Sequence, residues 1–211
     1  MREPMEAAQH AAWISARCGR LTGSRMGDAM ARLKNGQPAA ARMNLLKDLL
    51  AERLTGDSVR HYVTPEMEWG LCQEANAKAE YEAENGVILM PARFALHPTI
   101  EDFGATADAF LGGDTLFEFK CPKTTTHITW TLAGEVPEEH RPQILAELAC
   151  TQRTRAVFVS YDPRIRGAGR MFVKEWTPEP EEIAAVESAA REFLADLERM
   201  FEVFTTTMES A

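Results

Sequence analysis

The chain lacks the features that mark several large classes of protein. It has no Cys-x-x-Cys pair and no His-Glu-x-x-His motif, which argues against a zinc ribbon, a thioredoxin-type site and a zincin-type metal centre. Its few cysteines lie far apart, so we expect reduced, mostly buried thiols rather than a disulfide framework: Cys18, Cys72, Cys121 and Cys150.

Other absences narrow the function and the location. No Gly-x-x-x-x-Gly-Lys-Ser/Thr loop and no Gly-x-Ser-x-Gly elbow is present, so neither nucleotide hydrolysis nor a hydrolase of the serine type is indicated. No apolar run approaches the roughly 20 residues that cross a bilayer, and the N-terminus has no signal-peptide core. We therefore expect a cytoplasmic protein without a membrane partner. The length fits a single domain over residues 1–211, with frayed ends at about 1–10 and 205–211.

The charge is negative overall but unevenly distributed. A net charge of −9 argues against indiscriminate binding to nucleic acid. Residues 17–47 nevertheless carry seven basic side chains against the single acid Asp28, whereas residues 178–211 carry nine acids against two arginines. This pattern indicates a basic tract within an acidic protein, or else accidental clustering on a charged surface.

The segment Thr106–Pro122 carries the clearest chemistry. Two apolar, β-branched stretches flank Gly112-Gly113-Asp114 and predict a β-hairpin. Because side chains alternate along a strand, Glu118 and Lys120 are expected on one face, with Phe117 and Phe119 on the other. The hairpin can fold Asp108 onto the polar face, where two carboxylates would suit Mg²⁺ or Mn²⁺. Taken alone, the pattern is more typical of a solvated, charge-paired edge strand.

Periodicity and turn residues predict alternating helices and strands, and hence an α/β protein. Thr22 or Ser24 is expected to cap a helix that reaches Arg32, and its N-terminus beside Arg17 and Arg20 would suit a phosphate unless it is an ordinary cap. Further helices are predicted at 38–54, 65–85, 138–152 and 179–204. Strands are predicted at 87–90, 94–97, 103–110, 116–120, 156–161 and 170–176.

Taken together, five short motifs resemble the lambda exonuclease or YqaJ-type viral recombinase family of the PD-(D/E)xK nuclease superfamily. They are Trp13…Arg17…Ser24, Trp69-Gly70-x-x-x-Glu74, Thr106-Ala107-Asp108…Glu118-Phe119-Lys120-Cys121-Pro122, Gln143, and Tyr161-Asp162-Pro163-Arg164. The resemblance implies a restriction-endonuclease-like core with a central mixed β-sheet flanked by helices.

The resemblance also implies roles for these residues. Asp108, Glu118 and the Phe119 backbone carbonyl would bind metal, and Glu74 would approach directly or through water. Lys120 would orient or deprotonate the attacking water. Two Mg²⁺ ions, or Mn²⁺ as a substitute, would then support in-line hydrolysis of a phosphodiester.

By the same resemblance, the pocket for a terminal 5′-phosphate comprises Arg17, Ser24, Thr106 and Gln143. The protein would be a 5′-to-3′ exonuclease that resects linear double-stranded DNA to mononucleotides. It would form a homotrimeric ring and pass the 3′ strand to a phage single-strand annealing protein inside a bacterial cell. The alternatives are a structure-specific endonuclease on the same fold and a non-catalytic module that binds DNA ends.

Two positions depart from the family pattern. The proline that usually precedes the first carboxylate is Ala107, which should matter little because that proline shapes backbone. The basic residue expected six positions after Lys120 is Thr126. The phosphate pocket would then borrow Lys123 or His127, or be weaker.

Overall fold

The computed structural model describes residues 12–59 and 64–209, which form two β-sheets and the helices that cover them. The helices are α1 (residues 12–17), α2 (Met26–Met30), α3 (Ala40–Thr55), α4 (Pro65–Asn85), α5 (Thr124–Ala133), α6 (Arg141–Thr151) and α7 (Pro180–Glu209). The strands are β1 (Leu21–Thr22), β2 (Met90–Pro91), β3 (Ala95–Leu96), β4 (Phe103–Ala105), β5 (Ala109–Leu111), β6 (Thr115–Lys120), β7 (Arg155–Tyr161) and β8 (Met171–Trp176).

The larger sheet has five strands in the order β2-β5-β6-β7-β8. Only β6 and β7 are parallel, and β6 is the middle strand. One face packs on α4, where Tyr81 meets the ring of Phe117 edge-on with centroids 5.0 Å apart. The other face packs on α5 and α6 through residues such as Trp130, Ile144 and Phe158. Both faces of β6 are therefore covered, unlike those of a strand at a solvated edge.

The smaller sheet has three strands in the order β1-β4-β3. Its core contains Leu21 and Phe103 and is closed by α2, α3, α6 and α7. The backbone of Gly104 runs directly over Phe94, because a Cβ atom at this position would lie only 2.4 Å from the Phe94 Cζ atom. The chain passes from this sheet to the larger one between β4 and β5, at residues 106–108.

Most predicted elements are present, but three predictions need correction. The predicted strand 103–110 is split between the two sheets, as β4 and β5. The helix expected from Thr22 to Arg32 is a 3₁₀ turn, Gly23–Arg25, followed by α2, which ends at Met30. Thr22 makes no side-chain cap because it pairs with Gly104 as part of β1. The helix predicted at 179–204 continues to Glu209, through most of the end that was predicted to fray. The other predicted frayed end, residues 1–10, lies outside the described residues.

Two helices, α1 and α5, were not predicted at all. The sequence of α5 begins with three threonines, and β-branched residues have low helix propensity. The helix is held instead by its buried residues His127 and Trp130. All four cysteines are free thiols, as expected, although only Cys121 and Cys150 are buried. Within residues 12–59 and 64–209, no helix has the length and apolar composition needed to cross a membrane.

Most basic residues of the tract at residues 17–47 form ion pairs within the fold. Arg42 is 1% exposed, contacts Asp196 on α7, and donates a 2.8 Å hydrogen bond to the Ala29 carbonyl of α2. Arg32 pairs with Glu192 on the same acidic helix. Basic residues of the tract thus connect α2 and α3 with the acidic helix α7. Many of these positive charges are therefore not available to a polyanion.

Replacing Arg42 by alanine should lower the free energy of unfolding by about 2–4 kcal/mol, because the Ala29 carbonyl would lose its donor and the buried side chain would leave a cavity. Arg32→Ala is the matched control, since Arg32 pairs with Glu192 at the surface; it should cost about 0.5 kcal/mol. Urea denaturation measures both values. Equal losses in the two variants would contradict a special role for the buried arginine.

Candidate active site

The β5–β6 hairpin brings the first two predicted carboxylates together. Ala109 pairs with Phe117, and the backbone N–H of Asp108, the residue before β5, donates a 3.1 Å hydrogen bond to the Phe117 carbonyl, which places Asp108 beside Glu118. The Asp108 Oδ2 atom accepts a 2.7 Å hydrogen bond from the backbone N–H of Phe119. Like charges brought together on a hairpin destabilise a sheet. Glu118 is buried and Asp108 lies exposed beside it, so the pair indicates a role other than stability.

Glu118 is the most deeply placed acid of the group. It is 1% exposed in the middle strand of the larger sheet, which shows that the alternative of a solvated edge strand is wrong. Its Oε1 atom contacts the Lys120 ammonium and accepts a 2.6 Å hydrogen bond from Gln143 Nε2. Glu118 and Lys120 share one face and the two phenylalanines pack on the other, as the alternation predicted.

The electrostatics of the site follow from this crowding. The Asp108 side chain reaches solvent, but protein atoms surround most of it. This burial raises the pKa of Asp108, and the charge of Glu118 raises it further. Burial alone would lower the pKa of Lys120, but Glu118 and Asp108 outweigh it and the pKa is raised. The carboxylates therefore favour a cation among them, and Lys120 is one such cation.

Glu74 approaches the same group from α4. It is half-buried, and burial raises its pKa; the charge of Lys120 acts to lower the pKa and that of Glu118 to raise it. These couplings place its carboxylate near both residues. Glu74 lies on the wall of a cavity of about 550 Å³ that Lys120 also lines.

The donor set fits a hard divalent cation, although the acids do not form a dense cluster. Nowhere in residues 12–59 and 64–209 do three His, Cys, Asp or Glu side chains converge as a metal-binding group. The predicted set needs only two carboxylates and the Phe119 carbonyl. The buried Glu118 Oε2 atom has no hydrogen-bond partner within the described residues, and such an atom is costly unless a cation or water meets it.

A second cluster of polar groups joins α1, the 3₁₀ turn and the β4–β5 connection. The Arg17 guanidinium donates to the hydroxyl of Thr106 at 3.2 Å and to that of Ser24 at 3.3 Å. The guanidinium also stacks on the Trp13 ring, 4.3 Å from its centroid. Burial lowers the pKa of Arg17, and the nearby charge of Arg25 adds to this. Three of the four residues predicted for a phosphate pocket, Arg17, Ser24 and Thr106, therefore do lie together.

Gln143 joins the carboxylates more directly than it joins this cluster. Its Nε2 atom donates to Glu118 and, at 2.9 Å, to Glu147 Oε1. The cluster is nevertheless adjacent, because a Cβ atom on Gly23 would lie 3.6 Å from the Gln143 carbonyl oxygen. Gln143 thus stands at the border between the two groups.

Glu147 is a member of the site that the sequence analysis missed. It is 1% exposed, and burial followed by the charge of Glu118 raises its pKa. The available signal was an acid one helical turn after Gln143, in the otherwise apolar run Ile-Leu-Ala-Glu-Leu-Ala-Cys. An acid in such a run points into the protein and needs a partner.

The two possible substitutes for the missing basic residue have different surroundings. His127 is 1% exposed, and its ring nitrogens are bonded to Ser160 Oγ at 2.8 Å and the Gly169 carbonyl at 2.9 Å, so it is not accessible to a phosphate. Lys123 is exposed and lines the cavity beside Lys120. Thr126 itself lies on α5.

Two solved structures resemble this fold along almost its whole length. An alkaline exonuclease from Laribacter hongkongensis, LHK-Exo, is 34% identical, and the match covers 95% of this chain and 98% of that chain with a TM-score of 0.87. The structure of LHK-Exo in complex with dAMP gives a TM-score of 0.88 at the same identity and coverage.

A phage-related exonuclease from Haemophilus somnus 129PT is 13% identical; the match covers 86% of this chain and 96% of that chain with a TM-score of 0.61, which supports the fold alone. The fold is that of the PD-(D/E)xK nucleases, as predicted. No curated protein is significantly similar to the chain in sequence. The model of the YqaJ-like viral recombinase domain matches residues 12–154. The chain therefore belongs to the YqaJ-like viral recombinase family.

Proposed function

We propose that the protein is a divalent-metal-dependent 5′-to-3′ exonuclease acting on linear double-stranded DNA with 5′-phosphorylated ends. The observation that carries the proposal is the short link between the two polar clusters. Thr106 accepts a hydrogen bond from Arg17, whereas Asp108 accepts one from the backbone N–H of Phe119, the residue after Glu118. Two residues of backbone place the Cα atoms of Thr106 and Asp108 no more than about 7 Å apart, a separation suited to one nucleotide.

In this proposal Arg17, Ser24 and Thr106 bind the terminal phosphate, and Gln143 stands beside it. Guanidinium and hydroxyl donors suit phosphate oxygens and carry no base preference. The scissile phosphodiester would then lie at Asp108 and Glu118. Cleavage there releases one nucleotide and leaves a new 5′-phosphate.

Asp108, Glu118 and the Phe119 carbonyl would hold Mg²⁺, with Glu74 near a second ion and Mn²⁺ as a substitute. Such ions, when bound, lower the pKa of water and stabilise charge on the leaving oxygen. Lys120 would orient the attacking water or take its proton. Gln143 would hold Glu118 in place through the bond to its Oε1 atom.

The family suggests the wider setting. We propose that the protein acts as a homotrimeric ring around DNA in a bacterial cytoplasm. Its 3′ single strand would pass to a phage single-strand annealing protein for recombination. The similarity to LHK-Exo along 95% of the chain supports the exonuclease activity.

The first test is digestion of linear duplex DNA with Mg²⁺. Wild-type protein should release mononucleotides from 5′-phosphorylated ends and leave closed circular DNA intact. Asp108→Ala and Lys120→Ala should each be slower by about 10²–10⁴-fold, because each loses a group that acts on the reacting water or its metal. The control Lys174→Ala removes a lysine paired with Glu135 and should keep full activity. Cleavage of the circle would instead indicate an endonuclease.

End recognition is tested by comparing 5′-phosphate with 5′-hydroxyl ends. Arg17→Gln should reduce the preference for phosphate by roughly 10- to 100-fold, since it removes a charged hydrogen bond to the phosphate. The matched control is Arg191→Gln, because Arg191 bonds the exposed Thr99 hydroxyl much as Arg17 bonds Thr106. An unchanged preference in Arg17→Gln would remove this cluster from the site.

Metal binding is tested without DNA. Mg²⁺ should raise the melting temperature of the wild-type protein in a saturable manner, because an ion that binds only the folded state stabilises it. Asp108→Asn should lose most of this increase, whereas Asn at the exposed position Asp28 should keep it. Scanning calorimetry over a Mg²⁺ titration measures the shift. Equal increases in wild-type and Asp108→Asn would place the ion elsewhere.

A further inference from the structure

Arg164 lies in the turn after β7 and has no role in the proposed function described above. Arg164 donates from Nε to Asp162 Oδ1 at 2.7 Å and from Nη2 to Asp162 Oδ2 at 3.1 Å. Its Nη2 atom also donates to the Pro122 carbonyl at 3.0 Å, and its guanidinium lies 4.2 Å from the centroid of the Trp69 ring. Four contacts therefore fix the plane of this guanidinium.

The anchor for this arrangement is itself rigid. Asp162 is fully buried and also accepts hydrogen bonds from the Thr124 hydroxyl at 2.6 Å and the Arg164 backbone N–H at 3.0 Å. Burial acts to raise the pKa of Asp162, but the hydrogen bonds from Arg164 and Thr124 outweigh it and the pKa is lowered. The acid is thus held as a carboxylate that orients Arg164.

Arg42, which joins α3 to α7, has a side chain that is only 1% exposed. The Arg164 side chain is instead 49% exposed. Within the described residues its Nη1 group has no hydrogen-bond partner, although every other guanidinium nitrogen has one. A guanidinium that is bonded through Nε and Nη2, stacked on an indole and open at Nη1 has already lost its rotamer entropy, which favours binding of an anion.

The position of Arg164 indicates which anion. It lines the 550 Å³ cavity beside the candidate active site together with Trp69, Glu74, Lys120, Lys123 and Trp130. Arg17, Ser24 and Thr106 are not part of this wall. The cavity thus continues the site away from the cluster assigned to the 5′-phosphate, and three basic side chains line it.

We propose that Arg164 binds a phosphodiester of the cleaved strand on the 3′ side of the scissile bond, through its Nη1 group. The assignment rests on the proposed function, because the strand direction follows from the 5′-phosphate cluster. With the end at Arg17 and the scissile bond at Glu118, the remaining strand must leave past Lys120 into the cavity. Arg164 would hold that strand in register after each cleavage.

The test uses 5′-phosphorylated duplexes in which single phosphodiesters of the degraded strand are replaced by uncharged methylphosphonates, at successive positions from the 5′ end. Under single-turnover conditions, a methylphosphonate at one position 3′ to the first scissile bond should slow cleavage by the wild-type protein about tenfold. The same linkage should not slow Arg164→Gln any further, since the contact is already gone. Arg164→Lys should fall between the two, because it keeps the charge without the two-pronged bond to Asp162.

Binding of unmodified duplex without divalent ions gives an independent readout. The slope of log affinity against log salt should fall by about one in Arg164→Gln and stay unchanged in Arg199→Gln, which removes an exposed arginine paired with Asp196. Melting temperatures show whether each variant is folded. A lower melting temperature with unchanged salt slope and methylphosphonate profile would show a structural role and overturn the proposal.

Failure of the proposed function is distinguishable from failure of this inference. If wild-type protein digests no 5′-phosphorylated duplex, the exonuclease proposal fails and the binding slope alone decides on Arg164. An unchanged slope would then overturn the phosphate contact. A slope reduced by one, with Arg199→Gln unaffected, would support it as a DNA contact.

Discussion

Burial of the Glu118 carboxylate in the middle strand of the larger sheet is the constraint on which the site depends. A buried charge must be paired and hydrogen-bonded or its cost is several kcal/mol. Here Lys120 and Gln143 share one oxygen, and the other has no partner within the described residues. The surrounding helices hold the pair in a setting of low dielectric, where a cation would interact more strongly than in water. The arrangement favours cation binding at the expense of stability.

The connection between the two sheets gives the site its second part. Residues 106–108 leave the smaller sheet after β4 and enter the larger one at β5. A chain that crosses between packed layers has little freedom, so Thr106 and Asp108 keep a fixed separation. Arg17 is held from the other side by its loop, because the buried Glu52 accepts a 2.8 Å hydrogen bond from the Gly19 N–H. Both polar clusters are thus set by backbone that the two cores restrain.

The sequence predicted this site where local rules were sufficient. Side chains alternate along a strand, so Glu118 and Phe119 lie on opposite faces. A Gly-Gly turn returns the chain so that Asp108 lies near Glu118, and the hairpin therefore follows from local patterns. The split of strand 103–110 could not be predicted, since both halves are equally apolar and only tertiary packing assigns them to different sheets. Helix α5 was missed because packing of His127 and Trp130 overrides the propensity of its threonines. Glu147 was missed for a related reason: its burial depends on which face of α6 meets the sheet.

The 5′-to-3′ direction of the proposed reaction would come from the positions of the phosphate-binding groups alone. Neither cluster includes a group arranged to read base edges, and each would contact only phosphate. The strand must then be defined by its end, at Arg17, and by its continuation, at Arg164. In the proposed path of the strand, the carboxylates come between these two guanidiniums. Both arginines are fixed before any ligand arrives, one by two hydroxyls and an indole, the other by Asp162, Pro122 and Trp69. Preorganised cations at both ends would let cleavage repeat without rearranging the protein, since the product of each step is again a 5′-phosphate.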